Sequence, residues 1–391
     1  MSERAASASA HTSLAVSLET ARRLLTAFFA GLGAAMAVWG ARLPSVQDAA
    51  QIGAGRLSLV LLAAALGMVA GLQLGCHLAH RHGPSRLLAG PGAVFGLTLV
   101  LLAQCRSLST LIAAATLFGL AHGVLDVGVN SAAVNCQTAY GRPIMASLHA
   151  ACSVGGVGGA ALAAGAARIS HTLLFTIVGV LVALAAAAAA PALRLAPQLD
   201  ADPAGAGATR NPADSSRRTV WLLAGLAAAC LLSEGAALDW SAVHLSGLGA
   251  SEAVAAAAYA LYSAAMAVGR LLGDRLTARY GAAAVVRTGA VVAAVGLGGS
   301  LLVGNVAGAL VGWAALGLGL SITVPSLITA AGRGGPRTVG AVTAVGYIGL
   351  VAGPAAIGAL ATLTSLPLAL ALPAVLAAVV ALASRRALDP R

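Results

Sequence analysis

Residues 108–132 read LSTLIAAATLFGLAHGVLDVGVNSA, an apolar run that carries His122, Asp126 and Asn130 at four-residue spacing. In a helix each step of four residues turns a side chain by only about 40°, so the three polar groups project from one face. The run is long enough to cross a bilayer, and a face that presents an imidazole, a carboxyl and a carboxamide cannot rest against lipid. The reading is a membrane-spanning helix packed inside a bundle. A second histidine of this kind, His149, follows on the next apolar segment, with Cys152 and Ser153 on nearly the same face.

Composition supports a membrane protein throughout. Of 391 residues 59% are hydrophobic and 9% charged, and the mean hydropathy is +0.91; soluble domains are far more polar. About 20 apolar residues span the hydrocarbon as a helix. Twelve such segments lie near 24–43, 56–78, 86–104, 108–132, 145–167, 171–192, 219–242, 253–272, 284–303, 306–329, 338–360 and 366–384. The expected fold is therefore all-α and integral to the membrane, with twelve transmembrane helices in two pseudo-symmetric six-helix bundles. The first segment follows Arg22 and Arg23 and imitates a signal peptide, but eleven further spans argue for a retained helix.

Residues 1–20, rich in Ala and Ser, read as a short disordered cytoplasmic tail, and 385–391 as a second tail. Between 193 and 218 the composition turns polar, with Pro197, Pro203, Pro212, three aspartates and four arginines. This reads as a cytoplasmic linker between bundles at 21–192 and 219–384. All 23 basic residues are arginine, and 19 of them fall on the inner loops and tails if the N-terminus is cytoplasmic. Arg42, Arg56, Arg106 and Arg168 remain outside. That asymmetry places both termini in the cytoplasm. It also accounts for the formal charge of +11 without a nucleic-acid partner, because the arginines sit between spans and not on one patch. Five cysteines without C-x-x-C spacing, Cys76, Cys105, Cys136, Cys152 and Cys230, give neither a disulfide framework nor a zinc site.

The two halves resemble each other. Gly155 and Gly159 precede Gly349 and Gly353 by 194 residues; Gly71 and Gly75 precede Gly269 and Gly273 by 198; Trp39 precedes Trp240 by 201. A nearly constant offset points to a duplicated six-helix unit, the architecture of secondary transporters. Glycines at every fourth residue also provide seams for close helix approach.

Only Asp126, Glu234 and Asp239 are acidic within the spans, and intramembrane acids face a bundle interior or a wet cavity. Burial and a neighbouring imidazole act in opposite senses on the Asp126 proton, which suits the pair to loading and releasing one. Asp126 is thus the expected coupling acid, with His122 or His149 as relay and Glu234 as a deep acid of the second half. Asn130, Trp39, Glu234, Ser321 and Tyr347 are candidate solute contacts. Ser321, Pro325 and Thr329 repeat at four-residue spacing on the tenth segment, where Pro325 removes a backbone hydrogen bond; an ordinary kink and a broken, cavity-lining stretch both fit. Arg42 either snorkels or pairs with Asp239 to gate the outer mouth.

With these residues in place the chain resembles the major facilitator superfamily, and within it bacterial inner-membrane members of the fucose-permease-like branch. The resemblance runs from Ala21 to Ser384. It rests on Trp39-Gly-Ala-Arg42-Leu-Pro44, Asp126 with Asn130, Met145 with His149, Glu234-Gly235, Asp239-Trp240, Gly269-Arg270, Gly346-Tyr347 and Gly353-Pro354. The superfamily signature between helices 2 and 3, roughly G-x-L-A-D-R-x-G-R-R, is kept at Leu78, Ala79, Arg81 and Gly83 but has His80 in place of the aspartate. The loop after helix 8 offers Asp274 and Arg275 as a conformational latch. The resemblance implies two halves rocking about a central site, driven by protons or a solute gradient, and a helix-4 carboxylate tied to sugar and proton coupling, for which Asp126 is the nearest equivalent. It also implies a monomer in the bacterial inner membrane, contacting lipids, protons and a small-molecule solute, without a cofactor.

Three functions fit these residues: proton-coupled transport of a small polar solute, proton-antiport export of a drug or metabolite, and a transport-dead sensor or scaffold. No H-E-x-x-H, paired intramembrane aspartate or nucleophile elbow supports an enzyme. The arginine asymmetry makes a direct prediction. Reporter fusions at either end should be active only in their cytoplasm-dependent form; periplasmic activity at either end would overturn the orientation.

Overall fold

A chain whose solvent is hydrocarbon must satisfy its backbone amides internally, and among the described residues this one does so with helices alone. The computed structural model describes residues 2–52, 54–166, 168–200 and 217–389. The long helices are α1 (Ser2–Ala41), α2 (Ala54–His82), α3 (Ala89–Gln104), α4 (Leu108–Tyr140), α5 (Met145–Gly165) and α6 (His171–Ala188). Then follow α7 (Arg217–Gly247), α8 (Glu252–Tyr280), α9 (Ala282–Val303), α10 in two pieces (Val306–Leu320 and Thr323–Gly332), α11 (Gly335–Leu363) and α12 (Ala371–Leu388). Eleven helical spans among the described residues are long and apolar enough to cross a membrane. The expected span at 253–272 falls in the 29-residue α8, several of whose side chains lie outside the described set.

The chain forms two compact units. The first contains residues 1–142, 151–210 and 335–340, and the second contains 143–150, 211–334 and 341–391. Inside the first unit α2 packs along α4, α3 along α6, and α1 against both α4 and α6. Inside the second, α8 packs along α10, α9 along α12, and α7 against both α10 and α12. These are the same neighbours six helices later, so the duplication inferred from glycine spacing is repeated in the packing.

The glycines account for the register. A side chain at Gly155 or Gly159 on α5 would run into the carbonyls of Ala30 and Ala34 on α1, while Gly349 and Gly353 on α11 face those of Ala228 and Leu232 on α7. Gly71 faces the Leu120 carbonyl on α4, and Gly269 faces that of Leu318 on α10, both members displaced by 198 residues. Backbones this close gain dispersion contacts that lipid cannot offer.

One expectation changes. The stretch 1–20 was expected to be disordered, but α1 begins at Ser2; its alanines favour helix and no Gly or Pro precedes Gly31 to interrupt it. Of the linker 193–218, residues 201–216 lie outside the described residues, whereas the segment before them is folded. A helix at Ala190–Arg194 leads to a 3₁₀ turn at Pro197–Leu199, Leu199 is buried, and Asn135 Nδ2 donates to its carbonyl at 2.8 Å. Asp200 then accepts from Ser85 N at 2.8 Å and from Ser85 Oγ. The turn at 83–86, which follows His80 at the end of α2, is thus held by a carboxylate from the chain after α6.

The seams predict unequal tolerance of glycine replacement. Gly155→Val should cost about 1–3 kcal/mol by overpacking and lower the unfolding temperature in detergent. Gly158→Ala, with open space around it, should be neutral or slightly stabilising. Equal behaviour of the two variants would contradict the α1–α5 seam.

Candidate functional site

In the first unit α4 is held by a capping box at its start, where Ser107 and Thr110 bond each other's backbone amides, and by left-handed Gly141 at its end. Every residue from Ala121 to Val134 is buried. The polar stripe therefore does not merely avoid lipid: the whole second half of α4 is enclosed. Asp126 is 5% exposed and Asn130 2%. Asn130 Nδ2 donates to the Asp126 backbone carbonyl at 2.9 Å. Neither Asp126 Oδ2 nor Asn130 Oδ1 has a hydrogen-bond partner among the described residues. Buried polar atoms are nearly always paired, and these two need a donor: a proton, a hydroxyl or an amine.

Aromatic rings wall off one end of the stripe. The His122 ring lies 5.7 Å from that of Phe95, which stacks on Phe118 at 4.9 Å; Trp39 contacts Phe118 at 5.8 Å and Phe175 at 5.9 Å. Trp39, expected as a solute contact, is 4% exposed and built into this cluster. Arg42 donates through Nη2 to the carbonyls of Ala166 and Ile169, which fixes the end of α1 to the turn between α5 and α6. Cys76 on α2 lies within electrostatic reach of both Asp126 and Arg337, and its sulfur sits where a side chain at Gly340 would go.

The second unit has its own polar group. Glu234 on α7 and Arg270 on α8 approach to 4.0 Å, with side chains 29% and 14% exposed. His149 on α5 belongs to the same unit, within electrostatic reach of Arg270. Arg270 was counted among the topological arginines, yet α8 continues ten residues beyond it to Tyr280. The available signal was Glu234 itself, because an acid deep in an apolar helix requires a counter-charge.

Helix α10 is broken at Ser321 and Ile322, not merely kinked. Pro325 lacks an amide and its ring crowds the carbonyl four residues earlier, that of Ser321. Ser321 is 1% exposed and its hydroxyl donates to Leu318 O at 2.6 Å; Thr329 Oγ1 donates to Pro325 O at 2.9 Å. Tyr347 on α11 is half-buried, and Asp239 near the end of α7 is exposed. Beside it Trp240 donates its indole N–H to Pro354 O at 3.1 Å.

Asp274 caps a helix other than its own. Its Oδ1 accepts from Ala146 N at 2.9 Å and its Oδ2 from Ser147 N at 3.0 Å, two of the orphan amides at the start of α5. A carboxylate also suits the positive end of the α5 dipole. Arg275 beside it is exposed. The residue 198 positions before Asp274 is Cys76, so the first unit has a thiol where the second has the capping acid. Among the described residues no cluster of three or more His, Cys, Asp or Glu side chains is placed to hold a metal ion.

Residues 23–345 match the model of the Major Facilitator Superfamily. An uncharacterized MFS-type transporter of Yersinia pestis is 33% identical over 92% of this chain and 94% of its own length. The E. coli fucose:proton symporter FucP shares the fold with a TM-score of 0.69 at 15% identity, covering 93% of this chain and 97% of its own. The proton:xylose symporter XylE does so with a TM-score of 0.72 at 11% identity, covering 94% and 95%. Matched along most of its length by the family model and along nearly all of it by a one-third identical relative, the chain is a multi-pass membrane protein that belongs to the Major Facilitator Superfamily, a family of transporters and not of enzymes.

Proposed function

We propose that the protein is a proton-coupled secondary transporter of a small polar solute, working by alternating access in the bacterial inner membrane with both termini in the cytoplasm. The observation that carries this reading is Asp126: a carboxyl enclosed in α4, one oxygen without a partner, beside His122 and Asn130. An ionisable group in such a place is retained for what it exchanges, and a proton is the smallest cargo that satisfies it. The fold neighbours FucP and XylE, described as proton symporters of fucose and xylose, support protons as the coupling ion and a hydroxylated solute as the first class to test.

In this reading Asp126 loads the coupling proton, His122 passes it, and Asn130 and the partner-seeking oxygen of Asp126 receive solute hydroxyls. Glu234 with Arg270, and His149 beside them, form the ionic counterpart in the second unit, with Ser321 and Tyr347 as further candidate contacts. Trp39 acts through the aromatic wall that positions His122. Asp274 is the conformational latch: releasing the two α5 amides frees that helix end, with Arg275 beside it and Arg42 and Asp239 as gating groups at the other boundary.

Proteoliposomes with an entrapped pH dye, offered L-fucose, D-xylose and a wider polyol and amino-acid panel, test this directly. The wild type should show solute-dependent proton movement, and Asp126→Asn should reduce gradient-driven flux at least a hundredfold while solute binding, read by thermal shift, changes by only a few-fold. Flux that persists in Asp126→Asn defeats the assignment. Proton and solute moving in opposite directions would favour the exporter.

A second prediction concerns Glu234 and Arg270. The pair is partly solvated and long, so each single change to Gln should cost about 1 kcal/mol or less. The double variant should be no less stable than either single one, because neither charge is left alone. Additive destabilisation would mean that the two side chains do not interact.

A further inference from the structure

Two contiguous cavities in the second unit share only Ser321 with the residues of the transport reading. The first, about 530 Å³, is an apolar groove floored by Gly269 on α8 and Gly289 on α9 and walled by Leu272, Leu276, Val292 and Leu318. Leu272 is 46% exposed, and Val292 and Leu318 are each 43% exposed, so the groove opens outward from the helices. From Leu272 to Tyr280 it follows α8 for about 12 Å, most of the depth of one leaflet of a roughly 30 Å hydrocarbon layer.

The second cavity, about 810 Å³, adjoins it and shares Tyr280, Ala284 and Thr288 with it. Its character is opposite. Arg287 from α9, Arg333 from the end of α10 and Arg385 from α12 converge on it, and Asp389 is the one carboxylate in its lining. Among the described residues none of these arginines has a carboxylate within 4.0 Å. The lining therefore keeps a surplus of two positive charges. The arginine-rich end of the groove lies beside the α8–α9 turn at Gly281, at the end of the apolar helices.

We propose that these two cavities form one binding site for an anionic phospholipid, with the phosphate held by Arg287, Arg333 and Arg385 and an acyl chain lying in the groove between α8, α9 and α10. Neither half suffices for another occupant: a soluble phosphate fills the basic cavity and leaves the groove open to lipid tails, and a zwitterionic lipid fills the groove but brings its own cation to the arginines. Guanidinium groups suit phosphate oxygens through paired N–H donors, and basic pockets among transmembrane helices select anionic headgroups in this way. The site sits on α8 and α10, which meet at Gly269 and Ser321 beside the break in α10, so its occupancy bears on a segment that is already discontinuous.

The test uses the full chain in detergent, with lipid retention read by native mass spectrometry and stability by thermal unfolding, against phosphatidylglycerol, phosphatidylcholine, glycerol 3-phosphate and inorganic phosphate. Phosphatidylglycerol should be retained and should raise the unfolding temperature by several degrees; phosphatidylcholine and the soluble phosphates should not. The triple variant Arg287→Gln/Arg333→Gln/Arg385→Gln should lose at least tenfold in phosphatidylglycerol retention, while Arg217→Gln/Arg218→Gln/Arg386→Gln, which removes the same charge elsewhere, should retain it. Should the first variant fail to fold, Val292→Trp, which fills the groove from an exposed position, should give the same loss with all arginines present. Equal retention of both lipids, equal loss in both triple variants, unchanged retention in Val292→Trp, or stabilisation by inorganic phosphate alone would each overturn the site.

Discussion

The constraint on which the rest of the structure depends is the absence of water from the hydrocarbon layer. It leaves helices as the form in which this backbone can be satisfied, and it makes each ionisable side chain within a span a conspicuous expense. Helix α4 answers by enclosure, with Ala121 to Val134 buried and Asp126 and Asn130 at their centre. Helices α7 and α8 answer by pairing, with Glu234 set opposite Arg270. These are the two available solutions to the same problem, and the units have taken one each.

Hydrocarbon also removes the hydrophobic force between helices, so close packing must hold them. The glycine seams do this, and their repetition preserves the duplication: Gly71 meets Leu120 as Gly269 meets Leu318, and Gly155 meets Ala30 as Gly349 meets Ala228. The chemistry lies where the repeat fails. Helix α4 is continuous and ionisable, whereas α10 breaks at Ser321 ahead of Pro325. Asp274 caps α5, whereas Cys76 stands at the corresponding place near Gly340. A repeated frame with asymmetric polar groups gives two units that are packed alike and chemically different.

Much of this was legible in the sequence because membrane spans are written in long apolar runs and their seams in glycine spacing. The stripe on α4 was legible because its spacing is that of a helix. What was not legible depends on contacts between residues far apart in the chain. Nothing in the spacing of Arg270 separates a topological arginine from an ion-pair partner; only the position of α7 beside α8 does. The aromatic wall of Phe95, Phe118 and Trp39 comes from three helices. Asp200 holds Ser85 from 115 residues away, a contact that no local motif records. The helical start of α1 was missed for a different reason: a polar, Ala- and Ser-rich composition resembles a disordered tail, yet it also favours continuing a helix already begun.

The central claim is that Asp126 exchanges a proton as the solute binds. Infrared difference spectroscopy on the reconstituted protein, recorded on adding the solute that the binding screen identifies, observes that carboxyl itself. The account predicts a change in the protonated carboxyl band that disappears in Asp126→Asn, whereas a solute-induced spectrum identical in the wild type and the variant would contradict it.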